Sequence, residues 1–322
     1  MTGIRTVDYH TGGEPFRIVV GGADVPEGTS ILERRRDALE RLDHVRRLLV
    51  NEPRGHADMY GCHVVPPNDD GADLGVVFFH NAGYSTACGH GTIALVTWAL
   101  DEGIVERREG ENRVVVDVPS GRLETVATVS EGRVRSVRFR NVPAFVWATG
   151  VEVAGRSVDV AYGGAFYASV PELVEPAELP RLIGLGREIK RELEAWQEIV
   201  HPLEPELRDV YGVIFWQEEG DNPLTQRNVT VFADGEVDRS PCGSGTSARL
   251  ALLDAAWQLP RGAELRHLSI VGSSFMGRVV DEVHVAGRPA VITEVSGTAY
   301  RTGESSFVLD PDDPLGEGFL LR

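Results

Sequence analysis

Two short stretches carry residues suited to chemistry. Ala87-Cys88-Gly89-His90-Gly91-Thr92 runs into the apolar segment Ile93–Leu100. About half the chain later, Pro241-Cys242-Gly243-Ser244-Gly245-Thr246 runs into a second segment that reaches Trp257. Both read Cys-Gly-x-Gly-Thr before a helix, as expected of two homologous halves, each presenting a cysteine at a helix N-terminus. Such an end carries unsatisfied N–H groups and about half a positive charge. That charge lowers a thiol's pKa toward neutrality, while the glycines let bare amides approach a carboxylate or phosphate. A matched cysteine pair can hold one thiol and one thiolate at once. It can take a proton from one face of a carbon and return one to the other, and the helix ends stabilise the enediolate charge that develops.

Taken singly, each part reads as structural. One Cys-Gly at a loop-to-helix junction is a packing feature, a lone His90 is a capping or core histidine, and Gly243-Ser-Gly-Thr246 is a weak glycine-rich loop. The duplication turns the reading toward catalysis. Cys62, in Met59-Tyr-Gly-Cys-His-Val-Val65, reads as an inward-facing strand residue. Zinc is disfavoured, since neither Cys88 nor Cys242 has a Cys-x-x-Cys partner and Cys-x-His is not a zinc spacing.

The elements that must position these cysteines are legible in outline. A strand is expected around Phe16–Val20, followed by one amphipathic helix from Ser30 to about Val50. Ser30-Ile-Leu-Glu33 opens that helix as a capping box, and Leu39, Leu42, Val45 and Leu49 form its apolar stripe. Short strands follow near Cys62–Val65 and Gly75–Phe79. Alternating runs separated by Pro119-Ser-Gly121 and Glu131-Gly132 predict hairpins over 113–140. A second helix is expected from about Leu179 to Val200, ended by His201-Pro202. Strands return at Val210–Trp216, Asn228–Phe232 and from Leu268 onward. Antiparallel runs with interspersed helices mark an α+β chain. The halves are placed at 1–130 and 131–322.

Composition removes other chemistries. The chain has 322 residues, 42% hydrophobic, with a net charge of −17, which argues against nucleic acid and anionic membrane as partners. Lys190 is the only lysine and sits in a charged helical stretch, so neither a P-loop nor a Schiff-base lysine is available. Three scattered cysteines do not make a disulfide framework, and Met1–Asp8 lacks the apolar core of a secretory signal. No apolar run reaches the roughly 18 residues of a spanning helix. A cytoplasmic protein is expected.

Beyond the two motifs, Val7-Asp-Tyr-His-Thr-Gly-Gly-Glu-Pro15, Asn51-Glu-Pro-Arg-Gly-His56, Asn141-Val-Pro143, Tyr162-Gly-Gly164, Val237-Asp-Arg-Ser-Pro-Cys242 and Val295-Ser-Gly-Thr-Ala-Tyr300 resemble the proline racemase family along essentially the whole chain. That family includes 4-hydroxyproline 2-epimerases and trans-3-hydroxy-L-proline dehydratases. The resemblance implies a diaminopimelate-epimerase-like fold of two pseudosymmetric α/β domains with the site in the cleft between them, the C-terminal tail from about residue 300 returning to the first. It also implies cofactor-independent catalysis with Cys88 and Cys242 as the acid–base pair. Gly89, His90, Gly243 and Ser244 then hold the substrate, Asp238 meets the ring nitrogen, and a homodimer is expected.

Departures from the family pattern bear on the substrate. The dehydratase branch typically has threonine where this chain has Cys242, which favours racemisation. Val210-Tyr211-Gly212 looks more like the dehydratase branch, because many hydroxyproline epimerases place a histidine near Tyr211 to meet the ring hydroxyl. Ser244 stands where threonine is usual and keeps the hydroxyl. The leading expectation is a two-base racemase or epimerase of proline or 4-hydroxyproline. The alternatives are a trans-3-hydroxy-L-proline dehydratase and an imino-acid-binding protein without turnover.

Overall fold

The computed structural model describes residues 3–321, and by Cα proximity the chain divides into two compact units. The first takes the chain up to Val137 and again from Thr298; the second runs from Arg138 to Gly297.

In the first unit the elements are β1 (Ile4–Thr11), β2 (Glu14–Gly21), α1 (Ile31–Arg41), α2 (Asp43–Val50), β3 (Tyr60–Val65), β4 (Leu74–His80), β5 (Gly83–Tyr84), α3 (Gly89–Asp101), β6 (Gly110–Val118), β7 (Gly121–Ser130) and the start of β8 (Arg133–Arg140). The last strand of the chain, β18 (Ala299–Phe307), pairs antiparallel with β1. From there β1 and β2 are antiparallel, β2 and β3 parallel, β3 and β4 antiparallel, β4 and β6 parallel, and β6 and β7 antiparallel. The parallel β2–β3 step needs a crossover, which α1 and α2 supply. α3 lies against β1, β2, β3, β7 and β18, and every residue from Gly89 to Leu100 is buried. A helix apolar on all sides has to be enclosed, and Ile93-Ala-Leu-Val-Thr-Trp-Ala-Leu100 is such a helix.

The second unit repeats the order. It contains β9 (Phe145–Val153), β10 (Arg156–Tyr162), β11 (Phe166–Pro171), α4 (Leu179–Trp196), β12 (Val210–Asp221), β13 (Leu224–Phe232), β14 (Glu236–Asp238), α5 (Gly243–Ala255), β15 (Leu265–Ser269), β16 (Ser274–Val285) and β17 (Arg288–Gly297). Here β9, β10 and β11 are antiparallel neighbours, and β11 and β12 are parallel across α4. β12 and β13 are antiparallel, β13 and β15 parallel, and β15, β16 and β17 antiparallel. In both units a short strand precedes the cysteine and a buried helix follows it, and that helix crosses to the next parallel strand.

Two expected helices differ in detail. The single helix expected over 30–50 is two, broken at Leu42 (φ −114°, ψ 10°). The Ser30 side chain does cap α1, accepting the Glu33 N–H at 3.2 Å, and Glu33 in turn holds the Thr29 N–H at 2.7 Å. The bend turns Leu42, Val45, Leu48 and Leu49 into one core cluster with Ile31 and Ala38, while Leu39 stays 53% exposed. Leu39 therefore does not belong to the buried stripe. The helix expected to reach Val200 ends at Trp196, because an antiparallel bridge between Val200 and Arg208 and the His201 N–H to Leu207 bond draw that segment into extended backbone.

Replacing Leu49 with alanine should cost the first unit about 2–5 kcal/mol in urea unfolding, whereas Leu39→Ala should stay within about 0.5 kcal/mol. Equal effects would contradict the bent-helix packing.

Candidate functional site

Cys88 is the N-cap of α3, in extended backbone (φ −154°, ψ 97°). Its Sγ accepts the Gly91 N–H at 3.2 Å, so one of the orphan donors of the first turn is aimed at sulfur. The Thr92 hydroxyl donates to the Cys88 carbonyl at 2.9 Å. A Cβ at Gly91 would stand 2.6 Å from that sulfur and against the Phe16 ring, so only glycine fits there. Gly89 is the first residue of α3. The His90 ring nitrogens lie 3.5 Å from Sγ, and the Phe16 and Tyr60 rings meet the imidazole edge-on at 5.8 and 4.9 Å. Burial pushes His90 down to about 3, so the imidazole is neutral at physiological pH. Thr11 fixes the His90 carbonyl at 2.9 Å.

In the second unit the same motif has different backbone. Cys242 adopts φ +60°, ψ 103°, a left-handed conformation that costs a residue with a Cβ about 1–2 kcal/mol. The turn before it pins that conformation: the Ser240 N–H donates to Asp238 Oδ1 at 2.8 Å, and the Cys242 N–H donates to Ser240 Oγ at 3.1 Å. Thr246 repeats the role of Thr92, its hydroxyl donating to the Cys242 carbonyl at 2.7 Å. That hydroxyl lies 2.8 Å from His267 Nδ1; with its one proton given to the carbonyl, it accepts from Nδ1–H. Gly245 matches Gly91, since a Cβ there would sit 2.8 Å from Cys242 Sγ.

Gly243 opens α5, and Ser244 Oγ is 2.7 Å from the Tyr167 hydroxyl, which itself lies 3.8 Å from Cys242 Sγ. Tyr211 meets Tyr167 edge-on at 5.8 Å and stacks on Phe232 at 5.5 Å, packing against the cluster that contains Cys242. Lys190, half-buried on α4, donates to the carbonyls of Tyr211 (3.2 Å) and Ala233 (2.6 Å) and so holds that strand end.

Burial controls the ionisation here. The Asp238 carboxyl is pushed up to about 6, chiefly by desolvation, against hydrogen bonds from Ser240 and Cys242 that favour the anion. The Cys242 thiol is pushed up to about 12 by burial and then by the Asp238 charge; the Thr230 hydroxyl, the Gly245 N–H and Tyr167 pull weakly the other way. Cys242 is therefore a thiol, an acid, in the resting protein. The arrangement provides a proton donor, a carboxylate that can meet an ammonium group, and helix-end amides for an anion.

Asp238, Cys242, Gly243 and Ser244 come together in one unit, as do Cys88, Gly89 and His90 in the other. Tyr167, with its hydroxyl 3.8 Å from Cys242 Sγ, stands between the sulfur motif and the ring contact it makes with Tyr211. Sequence reasoning missed Tyr167 and Thr230, for which no spacing gives a signal, and Ser240, which the Asp-x-Ser-x-Cys run before a helix could have revealed. Cys62 is buried with its thiol pushed well above the usual range, an inert core residue. Among the described residues no cluster of three or more His, Cys, Asp or Glu could hold a metal, and no helix is long and apolar enough to cross a membrane.

Residues 6–320 match the family model described as proline racemase. A trans-3-hydroxy-L-proline dehydratase of Bacillus cereus is 44% identical over 325 residues, which cover 98% of this chain and 97% of that protein. A 3-hydroxyproline 2-epimerase of Burkholderia multivorans is 45% identical over 331 residues, covering 99% and 98%. Among solved structures, a hydroxyproline epimerase from Agrobacterium vitis with bound trans-4-hydroxy-L-proline superposes with a TM-score of 0.91 at 32% identity. The match covers 99% of this chain and 95% of that one.

Because Cys242 is a thiol well past neutrality, its alkylation by iodoacetamide, followed by peptide mass spectrometry, should keep accelerating above pH 9 with no plateau. A plateau below pH 8 would show that burial does not dominate at this sulfur.

Proposed function

The chain belongs to the proline racemase family, and from that premise we propose that it is a cofactor-independent 2-epimerase of hydroxyproline, with 3-hydroxyproline its first substrate. Cys88 and Cys242 are the acid–base pair. The observation that carries this reading is the retention of a cysteine at both helix N-termini, each with a glycine three residues on that makes room for sulfur. The position of the hydroxyl rests on the relatives, which are named for 3-hydroxyproline.

The chemistry distinguishes inversion from dehydration. In trans-3-hydroxy-L-proline the hydroxyl is trans to the carboxylate and so lies on the same ring face as the α-hydrogen. One base on that face suffices for dehydration: it takes the α-proton, the 3-hydroxyl leaves with that same proton as water, and an enamine tautomerises to the cyclic imine. Inversion needs a second acid on the opposite face, and a second cysteine that is protonated at rest meets that need. The substrate carboxylate is held by the first-turn amides of Gly89, His90, Gly243 and Ser244, where enediolate charge develops. Neutral His90 contributes no cation of its own. Asp238 meets the ring ammonium. Dehydration is the second reading, favoured by the name of the Bacillus cereus relative and by the absence of a histidine near Tyr211.

Incubation with trans-3-hydroxy-L-proline in D2O should place deuterium at Cα and yield cis-3-hydroxy-D-proline. Cys88→Ser and Cys242→Ser should each lower epimerisation by about 10²–10⁴-fold. If cyclic imine forms instead, and survives loss of one of the two cysteines, the chain is a dehydratase. No exchange with 3-hydroxyproline, 4-hydroxyproline or proline would leave only a binding protein.

The Asp238 carboxyl ionises near 6 in the free enzyme, so kcat/KM should rise as pH climbs through about 6. A bound ammonium favours the carboxylate, so the matching limb in kcat should lie lower. Asp238→Asn should abolish the limb and raise KM about tenfold or more; an unchanged profile would remove Asp238 from the site.

A further inference from the structure

The variable position of the two Cys-Gly-x-Gly-Thr motifs reaches its sulfur by different routes. In the first unit it is His90, whose ring nitrogens lie 3.5 Å from Cys88 Sγ. In the second it is Ser244, and the Tyr167 hydroxyl stands between it and the cysteine, 2.7 Å from Ser244 Oγ and 3.8 Å from Cys242 Sγ. Tyr167 comes from β11, and all three side chains are buried, so their polar atoms form a chain away from bulk water. Val146, Ala161, Ile214 and Leu252 supply apolar packing around it.

A phenol has one proton, and Tyr167 has both Ser244 Oγ and Cys242 Sγ within its reach. A thiol sulfur is a weak acceptor. While Cys242 keeps its proton, the Tyr167 O–H therefore belongs on Ser244 Oγ, the nearer and stronger acceptor. The Ser244 proton is then available to a carboxylate at the α5 N-terminus. With Cys242 a thiolate the order reverses. A hydrogen bond to a charged acceptor outweighs a neutral one, so Tyr167 turns its O–H to sulfur and Ser244 donates to the Tyr167 oxygen. Thr230 on β13 and the Gly245 N–H also favour that thiolate, while Asp238 on β14, itself under the influence of Arg239, opposes it.

We propose that this pair of hydroxyls follows the negative charge through the reaction, with Tyr167 a positioning residue for proton transfer at Cys242. The inference rests on the acid–base role proposed for that cysteine. In the delivering step the S–H bond breaks, and the proton bonds to Cα through an electron pair of the enediolate, leaving a carboxylate and a thiolate. Charge has moved from the substrate oxygens to sulfur. The Ser244 and Tyr167 protons turn the same way, each by rotation about its own C–O bond, and no proton passes between them. The reverse step turns them back.

Tyr167→Phe removes the hydroxyl and keeps the ring that Tyr211 meets edge-on. Alkylation by iodoacetamide at pH 9, read by peptide mass spectrometry, reports the thiolate at each cysteine without any substrate. Cys242 should react about tenfold more slowly in this variant, the worth of one hydrogen bond to a charged group, with the Cys88 rate unchanged. Ser244→Ala should slow Cys242 about threefold, and should add nothing in the Tyr167→Phe background, because the serine acts through the phenol. In turnover, Tyr167→Phe should lower kcat about tenfold and leave KM within about twofold. An unchanged Cys242 alkylation rate in Tyr167→Phe overturns the proposal, as do additive effects of the two substitutions. Protein that shows the expected alkylation pattern yet exchanges no α-proton supports the hydroxyl pair and overturns the epimerase reading.

Discussion

A sulfur atom can rest against the first turn of a helix only where the backbone beneath it carries no side chain. In both motifs the third residue after the cysteine meets that condition: a methyl group at Gly91 or Gly245 would stand within 3 Å of the thiol. The threonine that follows locks the turn from below, returning its hydroxyl to the cysteine's own carbonyl at 2.9 and 2.7 Å. Cys-Gly-x-Gly-Thr thus describes one local geometry, with room for sulfur and a tether that keeps the first turn from fraying. The variable position is free because its side chain serves neither purpose, and the two units use it differently: histidine against aromatic rings in one, serine against Tyr167 in the other.

Holding that turn still requires enclosing the helix behind it, and both units do so with the same succession of strands. The helices differ in what they demand. α3 is almost wholly apolar, whereas α5 buries Ser244, Thr246, Ser247 and Arg249, each of which must find a partner. Arg249 finds Gln226 at 3.0 Å and the face of Trp216 at 3.7 Å, and Ser247 accepts from Thr293 at 2.8 Å. These bonds tie α5 to β12, β13 and β17, so the second cysteine turn rests on a more polar, more directional support than the first. β1 and β10 show the same need for an antiparallel neighbour on the side away from the crossover. In the second unit β9 supplies it from adjacent sequence; in the first it comes from β18, at the far end of the chain.

Much of this was legible in the residues. The family resemblance led to the diaminopimelate-epimerase-like fold that the structure shows. The cysteine repeat located both helix starts, and Ser30-Ile-Leu-Glu33 located another, because caps and glycines act over a few residues. The break at Leu42 was not legible, since it follows from how Leu42, Val45 and Leu49 share one pocket with Ile31, a tertiary demand that helical spacing does not carry. Tyr167 and Thr230 escaped for a related reason. They sit in β11 and β13 beside apolar neighbours, with no local motif to mark them, and only the tertiary fold brings them beside Cys242. The difference between the two cysteines was equally hidden: identical letters give φ −154° at Cys88 and +60° at Cys242 because the preceding turns differ, one of them pinned by Asp238 and Ser240.

That last difference has mechanistic weight on the proposed reading. A thiol raised to about 12 is protonated in the resting protein but a weak acid, so on this reading Cys242 starts as the proton donor. Giving up the Cys242 proton must then become easier once substrate is bound. Part of what raises Cys242 is the neighbouring Asp238 charge, and a ring ammonium paired with Asp238 cancels that contribution while favouring the ionised carboxylate. The same cation that anchors the imino acid therefore lowers the barrier to proton delivery from the cysteine four residues further on. Binding and acidity are linked through one buried carboxylate, and a substrate lacking the ring ammonium loses both together.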